Sequence, residues 1–348
     1  MAAFTVQKFM PKSYCFPLLS QCWYCGKEID GYVFHISGNE CDIGCANQQI
    51  KRSRDILGVI LGDVDSFVGY GLGFDKPEFF WYVFVESQEA LPSLREEFSA
   101  AQLGFSIYPL ITEIPVLGEP EMIPAIPEKF VQGGTSIGHL KAGTTGTLGG
   151  IMRIGEKRYA LATASIIAPE GSRIGDSVVH PSIPDSPKRG IIMGKLSAIS
   201  RMIPNTSNDM DAALVEIFDD IKTSPWIKNL GRPGDLSEPH IGMTVRKSGR
   251  STGFTEGKIL CTDVKMKVVI RNKLYFLQDH FLAMSDMGSF AETGDEGSFI
   301  LDNRNSVTGL LEMVFHGMAV CSRASLVFER FGLVSPYCFE FDEEEADD

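Results

Sequence analysis

Cysteine spacing offers the plainest chemistry in this chain: Cys22-Trp23-Tyr24-Cys25-Gly26-Lys27, then Cys41-Asp42-Ile43-Gly44-Cys45. Two close cysteine pairs separated by a short insert can bring four thiolates to one tetrahedral Zn²⁺, with a hairpin spanning the gap. Gly26 absorbs the tight bend of the first knuckle, and the second pair leads into a helix-compatible polar stretch, Ala46 to Ile56. The expected metal ligands are therefore Cys22, Cys25, Cys41 and Cys45, with the competing readings of free buried cysteines or a redox pair. His35, in the insert, is an alternative ligand, and Cys15 has no assigned partner. Four thiolates leave no open coordination position, so such an ion folds a small module and activates no water. Its binding would supply folding free energy of order 10 kcal/mol to a module too small for a core of its own.

A second constellation lies near the other end, in Ala291-Glu292-Thr293-Gly294-Asp295-Glu296-Gly297-Ser298-Phe299-Ile300. Glycines flank an Asp-Glu pair that is followed at once by an apolar run, which reads as a tight turn entering a buried strand. The side chain of Glu296 is expected at that turn as a solvated anion. Asp211 is a second carboxylate, and two carboxylates can divide acid and base roles when their surroundings separate their pKa values.

The stretch around Glu296 resembles the Gly-Asp-Ser-Gly loop that carries the nucleophile of trypsin-like serine peptidases. Further segments, in the right order from about Val131 to Leu333, resemble a branch of that family found in cytosolic bacterial and plant proteins. Gly133 to His139 and Gly143 to Gly150 are similar to the opening of its first barrel, and Tyr159 to Ala168 to its strand leading into the catalytic histidine. Asn208 to Val215 is similar to the segment holding the triad aspartate, and Gly242 to Gly257 to its Lys-x-Gly-Arg-Thr-Thr-Gly run. The resemblance implies a mainly β fold, a trypsin-like double β-barrel. It also implies lost chemistry, because Ser165 takes the place of the histidine and Glu296 that of the nucleophilic serine, while Asp211 is kept. Gly294 and Glu296 would form an oxyanion-type turn, whose donors the Glu296 carboxylate could itself occupy. Phe290, by family spacing, would line an apolar primary pocket; Ser298, His139 and His180 read as structural.

Those sites need a frame, and the remaining sequence supplies it. The 348 residues, 44% hydrophobic, are enough for several compact units. We expect a zinc-finger-like module over 1–49, similar to small treble-clef fingers, then a small α/β unit over 50–126, the double barrel over 127–338 and an acidic tail over 339–348. In the α/β unit Ile56–Gly62 and Phe79–Val85 read as strands, and Leu91 to Leu103 as a helix. Gly62, Gly69, Gly71 and Gly73 read as a flexible loop, and Glu119 to Lys129, with three prolines, as an extended linker.

A net charge of −13 argues against general affinity for nucleic acid or anionic lipid. Lys51, Arg52 and Arg54 are the only basic cluster beside the cysteines, which leaves zinc-mediated nucleic-acid binding as a third reading. No apolar run approaches the roughly 20 residues that span a bilayer, and the first residues lack the pattern of a secretory signal. The expectation is a cytoplasmic, catalytically degenerate protease homologue that binds a protein or peptide. A hydrolase working through Glu296 and Asp211 is the alternative.

Overall fold

The computed structural model describes residues 21–333 apart from 28, 30–32, 65, 76–77, 117–129 and 187–189. The proline-rich linker, the acidic tail and Cys15 lie outside the described residues.

The core of the described chain is antiparallel sheet closed into two rings. The first is a seven-stranded sheet in the order Gly146–Thr147, Ser136–His139, Ser177–His180, Ile191–Ser200, Ala212–Ile217, Lys157–Ala162, Gly150–Ile154. Its two end strands are consecutive in the chain. Between them the Leu148 N–H donates to Thr135 O at 2.8 Å and the Gly149 N–H to Leu161 O at 2.9 Å, which closes the ring. Alternating apolar side chains fill it, as a closed barrel of short strands requires.

The second ring runs Lys273–Met284, Met318–Arg323, Val307–Phe315, Phe299–Asp302, Thr244–Gly249 and Gly253–Ile270, which pairs back to Lys273–Met284. A core cluster runs across both barrels. Phe299, Leu301, Val307 and Leu310 from the second pack with Ile151, Ala160 and Leu214 from the first. Gly149 and Gly150 lie so close under the Phe299 ring that a Cβ on either would meet it at 2.8 and 2.5 Å. Helix Ala324–Phe331 covers the same core through Val327 and Phe328, and ends in left-handed Gly332 at φ 66°. Two closed antiparallel barrels packed side by side make this a mainly β, trypsin-like double barrel.

The N-terminal unit is joined to the second barrel through backbone pairing. Strand Gly253–Ile270 is 18 residues long; its far half stays paired with Lys273–Met284 and on its other side pairs with Phe67–Asp75, with Lys265 opposite Tyr70 and Met266 opposite Gly69. Phe67–Asp75 continues into Glu78–Val85, which pairs on its other side with Ser106–Ile111 and Phe34–Ile36. Helices Ile43–Asp63 and Leu91–Ala100 bury Leu57, Leu61, Leu94 and Phe98 in this sheet's core.

Two local expectations do not hold. Ile56–Gly62 is not a strand but the end of helix Ile43–Asp63, because Ile50, Leu57, Ile60 and Leu61 fall on one buried helical face with Ala46. The apolar run hid that period. Gly69, Gly71 and Gly73 form no loop; they stand in strand Phe67–Asp75. Glycine is needed there for close approach, since a Cβ at Gly69 would sit 2.4 Å from Lys265 O and one at Gly71 2.7 Å from Cys261 Sγ.

Candidate functional site

Thr163 closes the strand Lys157–Ala162 and the chain turns into the short helix Ala164–Ile167, which carries Ser165. The Ser165 backbone N–H donates to Asp211 Oδ2 at 2.8 Å. Its hydroxyl lies beside the same carboxylate without a well-formed hydrogen bond. Asp211 itself precedes strand Ala212–Ile217 and is 1% exposed. Burial, and next the Glu312 carboxylate, push its pKa up to about 6 against the lowering effect of Ser165.

Behind Asp211 stands a buried pair that the sequence did not reveal. The Asp211 N–H donates to Glu312 Oε1 at 2.7 Å, and Glu312 Oε2 meets His280 Nε2 at 2.9 Å. Burial alone would discharge His280; the facing Glu312 overrules it and raises the pKa. His280 is 0% exposed, so this imidazole buttresses Asp211's segment and has no path to a substrate.

Glu296 is not the solvated anion expected from its turn. It is 1% exposed, and its Oε2 accepts the Gly294 N–H at 2.6 Å, while Oε1 is buried without a well-formed hydrogen bond. Burial pushes its pKa up to about 7 despite the nearby amides of Glu296 and Gly294. The reason is the way the loop is pinned. Thr147 N–H donates to Glu296 O at 2.7 Å, Thr147 Oγ1 donates to Gly294 O at 2.8 Å, and Gly297 at φ 99° has no room for a Cβ against Thr147 O. The first barrel thus presses on the loop and folds the side chain inward.

Asp295 is the hub of that loop, and sequence reasoning passed over it. Its Oδ1 accepts the Ser251 and Thr252 N–H groups at 2.8 and 3.2 Å, and its Oδ2 the Thr252 hydroxyl at 2.7 Å and the Glu292 N–H at 3.1 Å. Lys247 Nζ lies 3.0 Å from Oδ2, with both side chains fully buried. Burial lowers the Lys247 pKa and Asp295 opposes that shift. The available signal was a lysine two residues before the Gly-Arg-Ser-Thr-Gly run, together with an aspartate set between glycines. Next to it Arg250 pairs with buried Asp185, which ties the motif to the first barrel. Ser298 donates its hydroxyl to Asp295 O at 2.6 Å.

Phe290 lies in the closed core of the second barrel with Val245, Ile259 and Phe281, and the Lys247 ammonium stands 5.9 Å from its ring centroid. A cavity of about 220 Å³ opens between the barrels instead over Ser165 and Asp211, walled by Arg201, Met202 and the hairpin tip Ile270 to Tyr275. Its rim is basic at Arg201, Arg271 and Lys273, with Lys273 paired to Glu170 at 2.6 Å.

Of the four cysteines assigned to metal, three come together. Single donor atoms of Cys22, Cys25, Asp42 and Cys45 all lie within 4.8 Å of one another, a set whose donors fit a metal ion. Cys41 is corrected out of that set. It ends strand Asn39–Cys41 opposite Phe34 and is fully buried in the core with Ile36 and Ala46. Strand alternation turns residue 41 inward and residue 42 outward. His35 faces Glu40 at 4.0 Å.

Fold and site together give a mainly β, trypsin-like double barrel in which Glu296 is buried in the turn between Gly294 and Gly297 and Ser165 stands beside the buried Asp211. No protein-family model matches the sequence, and no curated protein does. Solved structures similar to the chain include Thermobifida fusca Protease A, at 16% identity and TM-score 0.43 over 59% of this chain and 97% of that one. Nocardiopsis Protease gives 17% and 0.44 over 59% and 98%, and an alpha-lytic protease homologue, N4, gives 15% and 0.44 over 60% and 100%.

Proposed function

We propose that this chain is a catalytically degenerate trypsin-like serine protease homologue that works as a peptide- or protein-binding scaffold. One observation carries the reading: the Glu296 carboxylate sits on the Gly294 amide, so the side chain at the nucleophile position occupies the donor that would stabilise an oxyanion. Ser165 beside Asp211 cannot serve as a base near neutral pH. Loss of nucleophile or base alone costs about a million-fold in kcat, and the losses are not additive.

The buried Lys247–Asp295 and Arg250–Asp185 pairs hold the framework around this plugged turn, and the cleft cavity over Ser165 and Asp211 gives a ligand a place to dock. The occupant is a segment of polypeptide lying between the barrels. A cytoplasmic location belongs to the same proposal. Among the described residues no helix is long and apolar enough to cross a membrane.

Panning a displayed peptide library on the protein tests the reading. Peptides recovered on the wild type should lose binding at least tenfold to Ser165→Trp, which fills the cavity. Peptides bound equally by both would place the ligand elsewhere and sink the cleft as a binding site.

A second reading, a hydrolase using Glu296 and Asp211, draws support from the raised pKa of both groups, about 7 and about 6, in the range useful for proton transfer at neutral pH. It requires turnover that vanishes in Glu296→Ala.

A further inference from the structure

We infer that the N-terminal module holds one Zn²⁺ through three thiolates and one carboxylate, Cys22, Cys25, Cys45 and Asp42, and that Cys41 takes no part in it. The site is independent of the cleft and its fate.

Register argues first. Two residues intervene between Cys22 and Cys25, and two between Asp42 and Cys45, whereas three separate Cys41 from Cys45. Equal spacing matters because a knuckle and a helix start each present donors at i and i+3. The knuckle is formed: Gly26 N–H donates to Cys22 O and Cys22 N–H to Lys27 O, both at 2.8 Å, with Gly26 at φ 70°. Trp23 N–H donates to Glu40 O at 2.8 Å, which fastens the knuckle to the strand immediately before Asp42.

Asp42 is placed for two tasks at once. As N-cap of helix Ile43–Asp63, its Oδ1 accepts the Cys45 N–H at 2.9 Å, while Oδ2 faces the sulfurs, 3.2 Å from Cys25 Sγ. A carboxylate bound to Zn²⁺ through one oxygen leaves the other free for such a hydrogen bond, which fixes its orientation. Tetrahedral Zn–S bonds of about 2.3 Å put neighbouring donors about 3.8 Å apart. The 4.8 Å spread needs only side-chain rotation to reach that. Cys41 would have to turn against the alternation of its strand, where it stands opposite Phe34, to take Asp42's place.

Three sulfurs and an oxygen still fill the tetrahedron, so the ion has no open position and its role is to fold the module. Trp23, 72% exposed, is displayed on the knuckle that the ion shapes.

The test is zinc content and chelator competition on the full chain, with the Co²⁺-substituted spectrum beside it. Asp42→Asn keeps a good helix cap and removes the anionic ligand, so circular dichroism at saturating zinc should be unchanged. Its zinc affinity should fall at least tenfold, the lower bound set by what losing a mere hydrogen-bond partner of a ligand costs. Cys41→Ala should bind zinc within twofold of wild type. Thiolate-to-cobalt absorption should be equal in wild type and Cys41→Ala, and stronger in Asp42→Cys, which adds a fourth sulfur. Loss of metal in Cys41→Ala with full retention in Asp42→Asn would overturn the assignment. So would a wild-type chain that takes up no stoichiometric zinc after reduction and reconstitution.

Discussion

Replacing Glu296 by Gln should change the pH dependence of stability more than stability itself. In the folded chain the carboxyl, 1% exposed, keeps its proton up to about pH 7; in the unfolded chain it loses it near the ordinary value of 4.5. The stabilisation from this proton is therefore fully present below pH 4.5 and is lost as pH rises through 7. Between pH 5 and pH 8 that linkage removes about 2–3 kcal/mol from the wild type. The glutamine side chain has no proton to lose, and its amide oxygen can still accept the Gly294 N–H. Urea denaturation at both pH values gives the quantity directly. The difference between variant and wild type should shift in the variant's favour by about 2–3 kcal/mol from pH 5 to pH 8. Parallel pH profiles for the two proteins would show that the carboxyl ionises as it does in water, and the inward-folded Glu296 would be refuted.

Asp211→Asn should behave in the same sense at a lower window. Its carboxyl is held up to about pH 6 against 3.8 unfolded, so denaturation of the variant should gain about 2–3 kcal/mol on wild type from pH 4 to pH 8. Asp295→Ala leaves Lys247 charged and buried without its partner, and should cost about 3–5 kcal/mol in urea melts. A loss under about 1 kcal/mol there would contradict the role given to Asp295 as the loop's hub. Gly69→Ala forces a Cβ onto Lys265 O and should destabilise the sheet joining the N-terminal unit to the barrel by about 1–3 kcal/mol, read by calorimetry, with wild-type stability as the contrary result.

Gly and small-residue turns made the double barrel legible, because positions such as Gly149 and Gly297 are fixed by backbone approach and leave a mark in sequence whatever the chemistry does. The same reasoning failed at Gly69 and Gly71. There the close approach is between strands and not at a turn, so glycine signals a neighbour that local sequence cannot name. Helix Ile43–Asp63 was cut short because its last turns are apolar nearly throughout and the helical period shows only once the buried face is known.

At the site, Ser165, Asp211 and Glu296 were readable as candidates and their surroundings were not. Glu296 looks solvated in a Gly-flanked turn, and only the pressure of Thr147 from the other barrel turns it inward. Glu312 and His280 lie on separate strands of the second barrel and meet Asp211 through tertiary contact alone. The cysteine pattern pointed to the metal cluster, but a one-residue register decided between Cys41 and Asp42. Strand alternation decides it in favour of the aspartate.

A chemically silent turn at Glu296 is the heart of the proposed function. Its most direct test is cleavage of a diverse quenched-peptide library by the purified chain, beside Glu296→Ala and a sample treated with a zinc chelator. No turnover above buffer is expected in any of the three. Turnover by the wild type that disappears in Glu296→Ala would contradict it and make the carboxylate the working group of a hydrolase.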